Sequence, residues 1–351
     1  MVQDIVILSA VRTPIGAFRG ALRELPVHHL GARALASAIE RAGVEPEAVE
    51  QVYMGNILTA GVGQAPARQA ALAAGCPVST GAVTVGKVCG SGMRAVMTGA
   101  NDLRCGDFCL VAAGGMESMS RAPYLAPGAR DGLRLGNGKF IDSMIHDGLW
   151  DPYNDLHMGN CAEKCAAKYQ FSRQEQDAYS LESYRRAREA SDKGLAASEI
   201  VVVEVPQRKG DPLRVERDEE PFRVELERLS SLRPAFQEEG GTVTAGNASK
   251  LNDGAAALVL TTAEHAERLG RRPVARLVAQ ASLAQQPEWF TTAPVGVVHK
   301  VLERAGLSED DIDLWEVNEA FAVVAMAFLR ELELPPERVN VRGGAVALGH
   351  P

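Results

Sequence analysis

The feature that most limits what this chain can fold into is an internal repeat. Glu40-Arg-Ala-Gly-Val-Glu-Pro-Glu-Ala-Val-Glu-Gln-Val-Tyr-Met-Gly-Asn56 aligns without a gap on Glu303-Arg-Ala-Gly-Leu-Ser-Glu-Asp-Asp-Ile-Asp-Leu-Trp-Glu-Val-Asn-Glu319, 263 residues further on. Each copy runs through a helix end, a glycine stop, an acidic turn and an apolar strand, so the chain is expected to hold two half-molecules of like architecture. Chance similarity of helix ends is the competing explanation; the shared Glu-Arg-Ala-Gly and the ungapped acidic-to-apolar passage weigh against it. At the same offset the counterpart of Cys89 falls one residue past Pro351, so the second copy is expected to be cut short.

Between the copies, strand-like and helix-like runs alternate. Ile5 to Ser9 and Phe108 to Ala113 read as buried strands, Val49 to Asn56 as a second strand and Ala82 to Val85 as the strand feeding Cys89. Leu30 to Ala42 carries Leu30, Ala34, Ala38 and Ala42 on one helical stripe before Gly43, and Gln64 to Ala74 is an alanine-rich helix. This alternation predicts an α/β core with a parallel-type sheet. Gly114-Gly-Met-Glu-Ser118 is expected to be a turn that either carries function or reverses the chain. Residues 121–156 read as long loops, Ser172 opens a helix with a capping box to Glu175, Ile200 to Val205 suits one strand of an exposed ribbon, and Gly254 to Thr261 resumes the regular pattern. The expected domains are 1–120 with 250–272 as one core half, 121–249 as an inserted loop domain, and 273–351 as an incomplete second half.

One cysteine stands between a strand-like and a helix-like run, in Gly81 to Thr98. There Gly90 and Gly92 permit positive φ and close backbone approach. The N–H groups opening the following helix favour an anion, so Cys89 is expected to have a lowered pKa and to be nucleophilic. Taken locally, the alternative is a small buried hydrophobe, as free cysteines often are. The other five, at 76, 105, 109, 161 and 165, form neither a disulfide framework nor paired metal-site spacing, which fits a reducing cytoplasm. The N-terminal stretch lacks a basic signal-peptide region and reads as the first strand, and the longest apolar helical run, Ala320 to Leu329, is too short to span a bilayer. A net charge of −8 argues against a nucleic-acid surface and favours a small-molecule partner.

Four more segments carry small or polar residues that a core does not require: His157-Met-Gly159, Thr244-Ala-Gly-Asn-Ala-Ser-Lys-Leu-Asn-Asp-Gly254, Asn318-Glu-Ala-Phe-Ala322 and Gly343-Gly-Ala-Val-Ala-Leu-Gly-His-Pro351. Asn318 can hold a water or donate to an oxyanion, or simply open a helix. His350 follows a glycine-rich turn and can take a proton from Cys89, or be a surface histidine.

Together with Val-Cys-Gly-Ser-Gly around Cys89 and Gly-Gly-Met-Glu-Ser-Met-Ser, these segments resemble the thiolase family, in its order and over nearly the whole chain. The resemblance implies two similar βαβ-type halves stacked in layers (αβαβα) with an inserted loop domain. It implies acyl transfer from acyl-CoA to cysteine, then Claisen condensation with a second acyl-CoA, or the reverse thiolysis. On that resemblance Cys89 is the acylated nucleophile, His350 its base and an oxyanion donor, and Asn318 the holder of an oxyanion-hole water. Ser249, Ala245, Gly246, Leu149, Met158, Phe236, Ala320 and Phe321 line the pantetheine channel. His157 belongs to a motif of short-chain, acetoacetyl-CoA-type members, and Arg223 is a loosely aligned candidate for the nucleotide end, or a solvated charge. Acetyl-CoA, acetoacetyl-CoA and coenzyme A are the expected partners, all as substrates, with no metal or other cofactor and with a homodimer or homotetramer as the assembly.

Gly86, Lys250 and Arg342 depart from the residues common in the family at those positions, and the family's C-terminal Cys-x-Gly-Gly-Gly segment has no counterpart. A protein ending at Pro351 is therefore expected to load acetyl groups on Cys89 and to condense or thiolyse little. A longer-chain 3-ketoacyl-CoA thiolase and a noncatalytic acyl-CoA-binding oligomer are the alternatives.

Overall fold

The computed structural model of the chain describes residues 3–351. A seven-stranded sheet runs in the order Ala275–Leu277, Ile5–Arg12, Asn252–Thr262, Leu110–Ser118, Gln51–Gly55 and Gly81–Val85, with Gly16–Ala17 added beside Asn252 and Asp253. Along Gln51–Gly55 alternate residues serve opposite faces, as period two requires. Val52 and Met54 join a core with Leu30, Ala34, Ala38 and Ala70 from helices Val27–Ala42 and Pro66–Ala73. Tyr53, with Val111 and Ala113, packs instead on Ala95 and Leu103 of helix Ser91–Cys105. Helices therefore cover both faces, as an α/β layer demands.

The sheet is mixed, which corrects the parallel reading. Gln51–Gly55 pairs in parallel with both Gly81–Val85 and Leu110–Ser118, but Asn252–Thr262 lies antiparallel between Leu110–Ser118 and Ile5–Arg12. Buried apolar runs look alike in either direction, and the long excursion from 119 to 251 lets the chain return with reversed polarity. Gly114 to Ser118 is also strand and not a turn. The glycines are there for space: a Cβ on Gly114 would strike the Ala256 carbonyl on the neighbouring strand.

The repeat is visible in backbone detail. Helix Val27–Ala42 ends on Gly43 at φ 67°, and helix Ala293–Ala305 ends on Gly306 at φ 68°. Each is followed by a 3-10 turn, Pro46–Ala48 and Glu309–Asp311. The copies then diverge. Where the first makes strand Gln51–Gly55, the expected strand through Val317 is reduced to one parallel bridge, Trp315 to Val339. Trp315, Val317 and Val339 are nonetheless buried with Val298, Leu302 and Phe328, so the second half has a core of its own.

Residues 121–249 hold more regular structure than loops alone. Helix Met158–Tyr169 and helix Arg173–Asp192, the latter opened by the Ser172 to Glu175 capping box, lie within it. Val203–Val205 and Leu213–Val215 form the expected ribbon. Ala162, Cys165 and Ala166 pack against Val323, Val324 and Ala327 of helix Ala322–Glu331, which docks this region on the second half.

Candidate active site

Cys89 sits in a strained elbow. Gly81–Val85 is the sheet's edge strand, and it feeds a 3-10 turn, Val88–Gly90, that runs into helix Ser91–Cys105. The left-handed residue is Val88, at φ 44°, while Gly90 has φ −91°. A β-branched residue there costs on the order of 1–3 kcal/mol. The Ser91 hydroxyl braces the bend, accepting from Lys87 N at 2.7 Å and donating to Val88 O at 2.7 Å. Glycine is needed underneath. A Cβ on Gly55 would lie 2.6 Å from Gly92 N, and one on Gly115 would lie 3.2 Å from Gly92 Cα, so three bare backbones let the helix start directly on the strand ends.

Cys89 is exposed, which removes the buried-hydrophobe alternative, while Cys76, Cys161 and Cys165 are buried. Its pKa moves opposite to expectation. Although the residue is exposed, the protein around it withholds solvation and pushes the thiol up, with the Cys89 backbone N–H pulling back. Desolvation outweighs the helix-end field. The group is thus a thiol that needs a base.

The candidate base lies on the second glycine-rich turn. His350 follows Gly349, at φ 105°, and its backbone N–H donates to Asn252 Oδ1 at 3.1 Å. Its Nε2 is 3.3 Å from Asn318 Nδ2. With the amide donating, the Nε2 lone pair accepts the Asn318 N–H, so Nε2 takes a further proton only once that contact is released; burial pushes the imidazole below its ordinary value, so it is neutral at pH 7. Sheet register sets this turn at the same end as the elbow. A Cβ on Gly254 would lie 3.1 Å from Pro351 Cγ, Gly254 is paired with Glu117, and Gly115 lies two residues before it against Gly92.

Two carboxylates missed by the sequence reading hold this end together. Glu319, 1% exposed, accepts from Tyr179 Oη at 2.7 Å, Ser183 Oγ at 2.8 Å, Asn340 Nδ2 at 2.9 Å and Val346 N at 3.0 Å. It thereby ties Asn318 to the turn that ends in His350. Glu117 accepts from Asn56 Nδ2 at 2.7 Å and Ile57 N at 2.8 Å; burial pushes it up to about 7 against those donors. A carboxylate directly following a candidate asparagine, and another inside a polar motif, were the available signals.

Most of the expected channel residues gather beside this end. Ala248 bridges to Phe321, and Ser249 N donates to Ala320 O at 3.0 Å, which seats the 244–249 loop on the Asn318 segment. Phe236 stacks on His157 at 4.8 Å and meets Phe321 edge-on at 6.1 Å, with Met158 packed against the same cluster. His157 Nδ1 accepts from Gly159 N at 3.0 Å, so it also caps the helix it opens. A Cβ on Gly159 would run into the Phe236 ring. Leu149 closes a π-helical turn beside Trp150, whose strand pairs with His157. Gly246 is buried against Leu229 and Leu232, and Ala245 faces solvent. Arg223 stands apart, exposed on a short helix with its guanidinium 3.9 Å from Glu220.

Residues 5–264 match the family model described as "Thiolase, N-terminal domain", and residues 271–351 match "Thiolase, C-terminal domain". The mitochondrial acetyl-CoA acetyltransferase of Mus musculus is 51% identical over 349 residues, which cover 99% of this chain and 82% of that protein. Acetyl-CoA acetyltransferase 2 of Arabidopsis thaliana is 49% identical, covering 99% and 87%. Among solved structures, the Acat5 thiolase from Ascaris suum in complex with coenzyme A superposes with TM-score 0.94 at 43% identity, over 99% of this chain and 89% of that one. The acetyl-CoA acetyltransferase of Bacillus anthracis superposes with TM-score 0.96 at 39% identity, over 99% and 88%.

Proposed function

This chain belongs to the thiolase family, and from that premise we propose that Cys89, His350 and Asn318 are the groups that perform its acyl transfer. The activity is that of an acetyl-CoA acetyltransferase: an acyl group passes from acyl-CoA to a cysteine and is condensed with a second acyl-CoA, or the same steps run backward as thiolysis. The observation that carries the residue assignment is the contact of Asn318 Nδ2 with His350 Nε2, set at the end of the sheet where Cys89 is presented.

In the acylation step the Asn318 amide releases His350 Nε2, whose freed lone pair takes the Cys89 proton, and the thiolate attacks the thioester carbonyl carbon. The oxyanion is met by the imidazolium and by a water held on the released Asn318 amide. The bond from carbon to the coenzyme A sulfur then breaks. Coenzyme A leaves with the proton from His350, and acetyl remains as a thioester on Cys89.

The 244–249 loop and the aromatic group of His157, Phe236 and Phe321, with Leu149, Met158, Ala245, Gly246, Ser249 and Ala320, form the surface for pantetheine and a short acyl chain. Arg223 is the candidate for the nucleotide end, where release from Glu220 would let it meet a phosphate. No metal or other cofactor is needed for these steps. Six unpaired cysteines support a reducing, cytoplasmic location. The unpartnered edge of Gly81–Val85, with Val83 45%, Val88 51% and Met93 74% exposed, supports a homodimer or homotetramer joined there. The test is exchange of labelled coenzyme A into acetyl-CoA: the protein catalyses it, Cys89→Ala abolishes it, and octanoyl-CoA exchanges far more slowly. Binding of acetyl-CoA with no exchange would leave only the noncatalytic reading.

A further inference from the structure

Lys250 is a half-buried cation that the acyl-transfer steps leave unused. Its Nζ points inward, donating to Ala248 O at 2.7 Å and to Val346 O at 3.2 Å, and it lies 5.6 Å from the ring centre of the fully buried Tyr184. Its own carbonyl accepts from His350 N at 3.3 Å. The two carbonyls belong to different segments. Ala248 sits in the loop that carries Ser249, and Val346 sits in the turn that delivers His350. One side chain thus joins the acyl-CoA-lining loop to the turn bearing the base.

We propose that the Lys250 ammonium is a positioning residue, a built-in cation that clamps these two segments through their carbonyl oxygens and so sets the affinity for the acyl thioester. This rests on the acyl-transfer reading of the site. Charge matters to the clamp because a carbonyl oxygen facing an ammonium gains roughly twice what it gains from a neutral donor. The facing groups are Glu319 on the Asn318 segment, Glu220 on the short helix with Arg223 beside it, and Tyr184 on the long helix. Burial pushes Lys250 down to about 8 while Glu220 and Glu319 pull it back up. The ammonium is therefore present at pH 7 and is lost as pH rises through about 8. Cys89 deprotonation acts in the opposite direction on rate, and His350 titrates lower.

The experiment follows acetylation of Cys89 by acetyl-CoA by mass spectrometry, from pH 6 to 9, in the full chain. The apparent KM of the wild type is expected to rise above pH 8. Lys250→Met keeps the unbranched stem, one atom shorter, but leaves both carbonyls without a cation; its KM at pH 7 should be raised by roughly tenfold or more and should show no step near pH 8. In Lys250→Ala, propylammonium added to the buffer should restore much of the affinity. A merely structural lysine would lower thermal stability without altering the pH profile and without rescue by the amine. A wild-type KM flat from pH 7 to 9, or Lys250→Met within twofold of wild type, overturns the clamp. Wild-type protein that never acetylates Cys89 overturns the acyl-transfer reading and the clamp with it.

Discussion

Replacing Glu319 by glutamine changes one atom and should loosen both second-half residues of the site. Glu319 Oε1 accepts from Tyr179 Oη and Asn340 Nδ2, and Oε2 accepts from Ser183 Oγ and Val346 N. Whichever oxygen becomes the amide nitrogen, one of its two partners can adapt and the other cannot. The tyrosine and serine hydroxyls can rotate to accept. Val346 N cannot, and Asn340 is locked because its Oδ1 already takes Val317 N at 2.9 Å while its Nδ2 also donates to Val317 O at 2.9 Å. Either amide orientation therefore sets two donors face to face in a site that is 1% exposed. Losing a hydrogen bond to a charged group costs about 1.5–3 kcal/mol, and the stranded donor adds a desolvation penalty, so Glu319→Gln should destabilise by about 3 kcal/mol. At roughly 2–4 °C per kcal/mol, Tm falls by about 6–12 °C. The release would be felt at Val346, four residues before His350, so acetylation of Cys89 should slow about tenfold at a temperature where the variant is still folded. Thermal unfolding paired with timed acetylation checks both numbers. A Tm within 1 °C of wild type together with an acetylation rate within twofold would refute the reasoning.

Glu117, pushed up to about 7, binds a proton in the folded state over a range where the unfolded chain has released it. Its contribution is full below the unfolded value near 4.5 and is lost as pH rises through about 7, on the order of 1–3 kcal/mol. Denaturant titrations at pH 5 and pH 8 should show that decline in wild type and a flatter profile in Glu117→Gln. Gly55→Ala places a Cβ 2.6 Å from Gly92 N, backbone against backbone, so the helix after Cys89 must lift; a loss of about 3 kcal/mol or more is expected in chemical unfolding, against near-neutral behaviour for alanine at an uncrowded glycine. His350, lowered by burial, should place the acid limb of Cys89 acetylation below pH 6.5, since only protonation of a neutral imidazole removes the base; a limb above 6.5 in the pH–rate profile would contradict that.

The parts of the fold that follow from local chemistry were legible in the sequence. Gly43 and Gly306 announced two equivalent helix ends, Ser172 and Glu175 a capping box, and the pattern through Thr98 a strand followed by a helix. What escaped was set by residues distant in sequence. The sheet's mixed direction depends on how the chain returns after the 119–251 excursion. Gly114 and Gly115 looked like turn residues because nothing local reveals that Ala256 and Gly92 need their space. The thiol of Cys89 was misjudged for a related reason: the helix end is visible in sequence, whereas the protein mass that desolvates the sulfur is not. Motif residues were easier to find than to rank, and Glu319 was passed over beside Asn318 because its four donors come from helix Arg173–Asp192 and from residues 340–346.

The most direct test of the central claim, that Cys89 is the acyl acceptor and not merely a reachable thiol, is peptide mapping after a short incubation with acetyl-CoA at pH 7. Cys105 and Cys109 are exposed as well, so they serve as internal controls for accessibility. The account predicts acetyl on Cys89, strongly reduced by His350→Ala, with Cys105 and Cys109 unmodified. Acetyl spread evenly over the three exposed cysteines, or Cys89 labelling indifferent to His350→Ala, would contradict it.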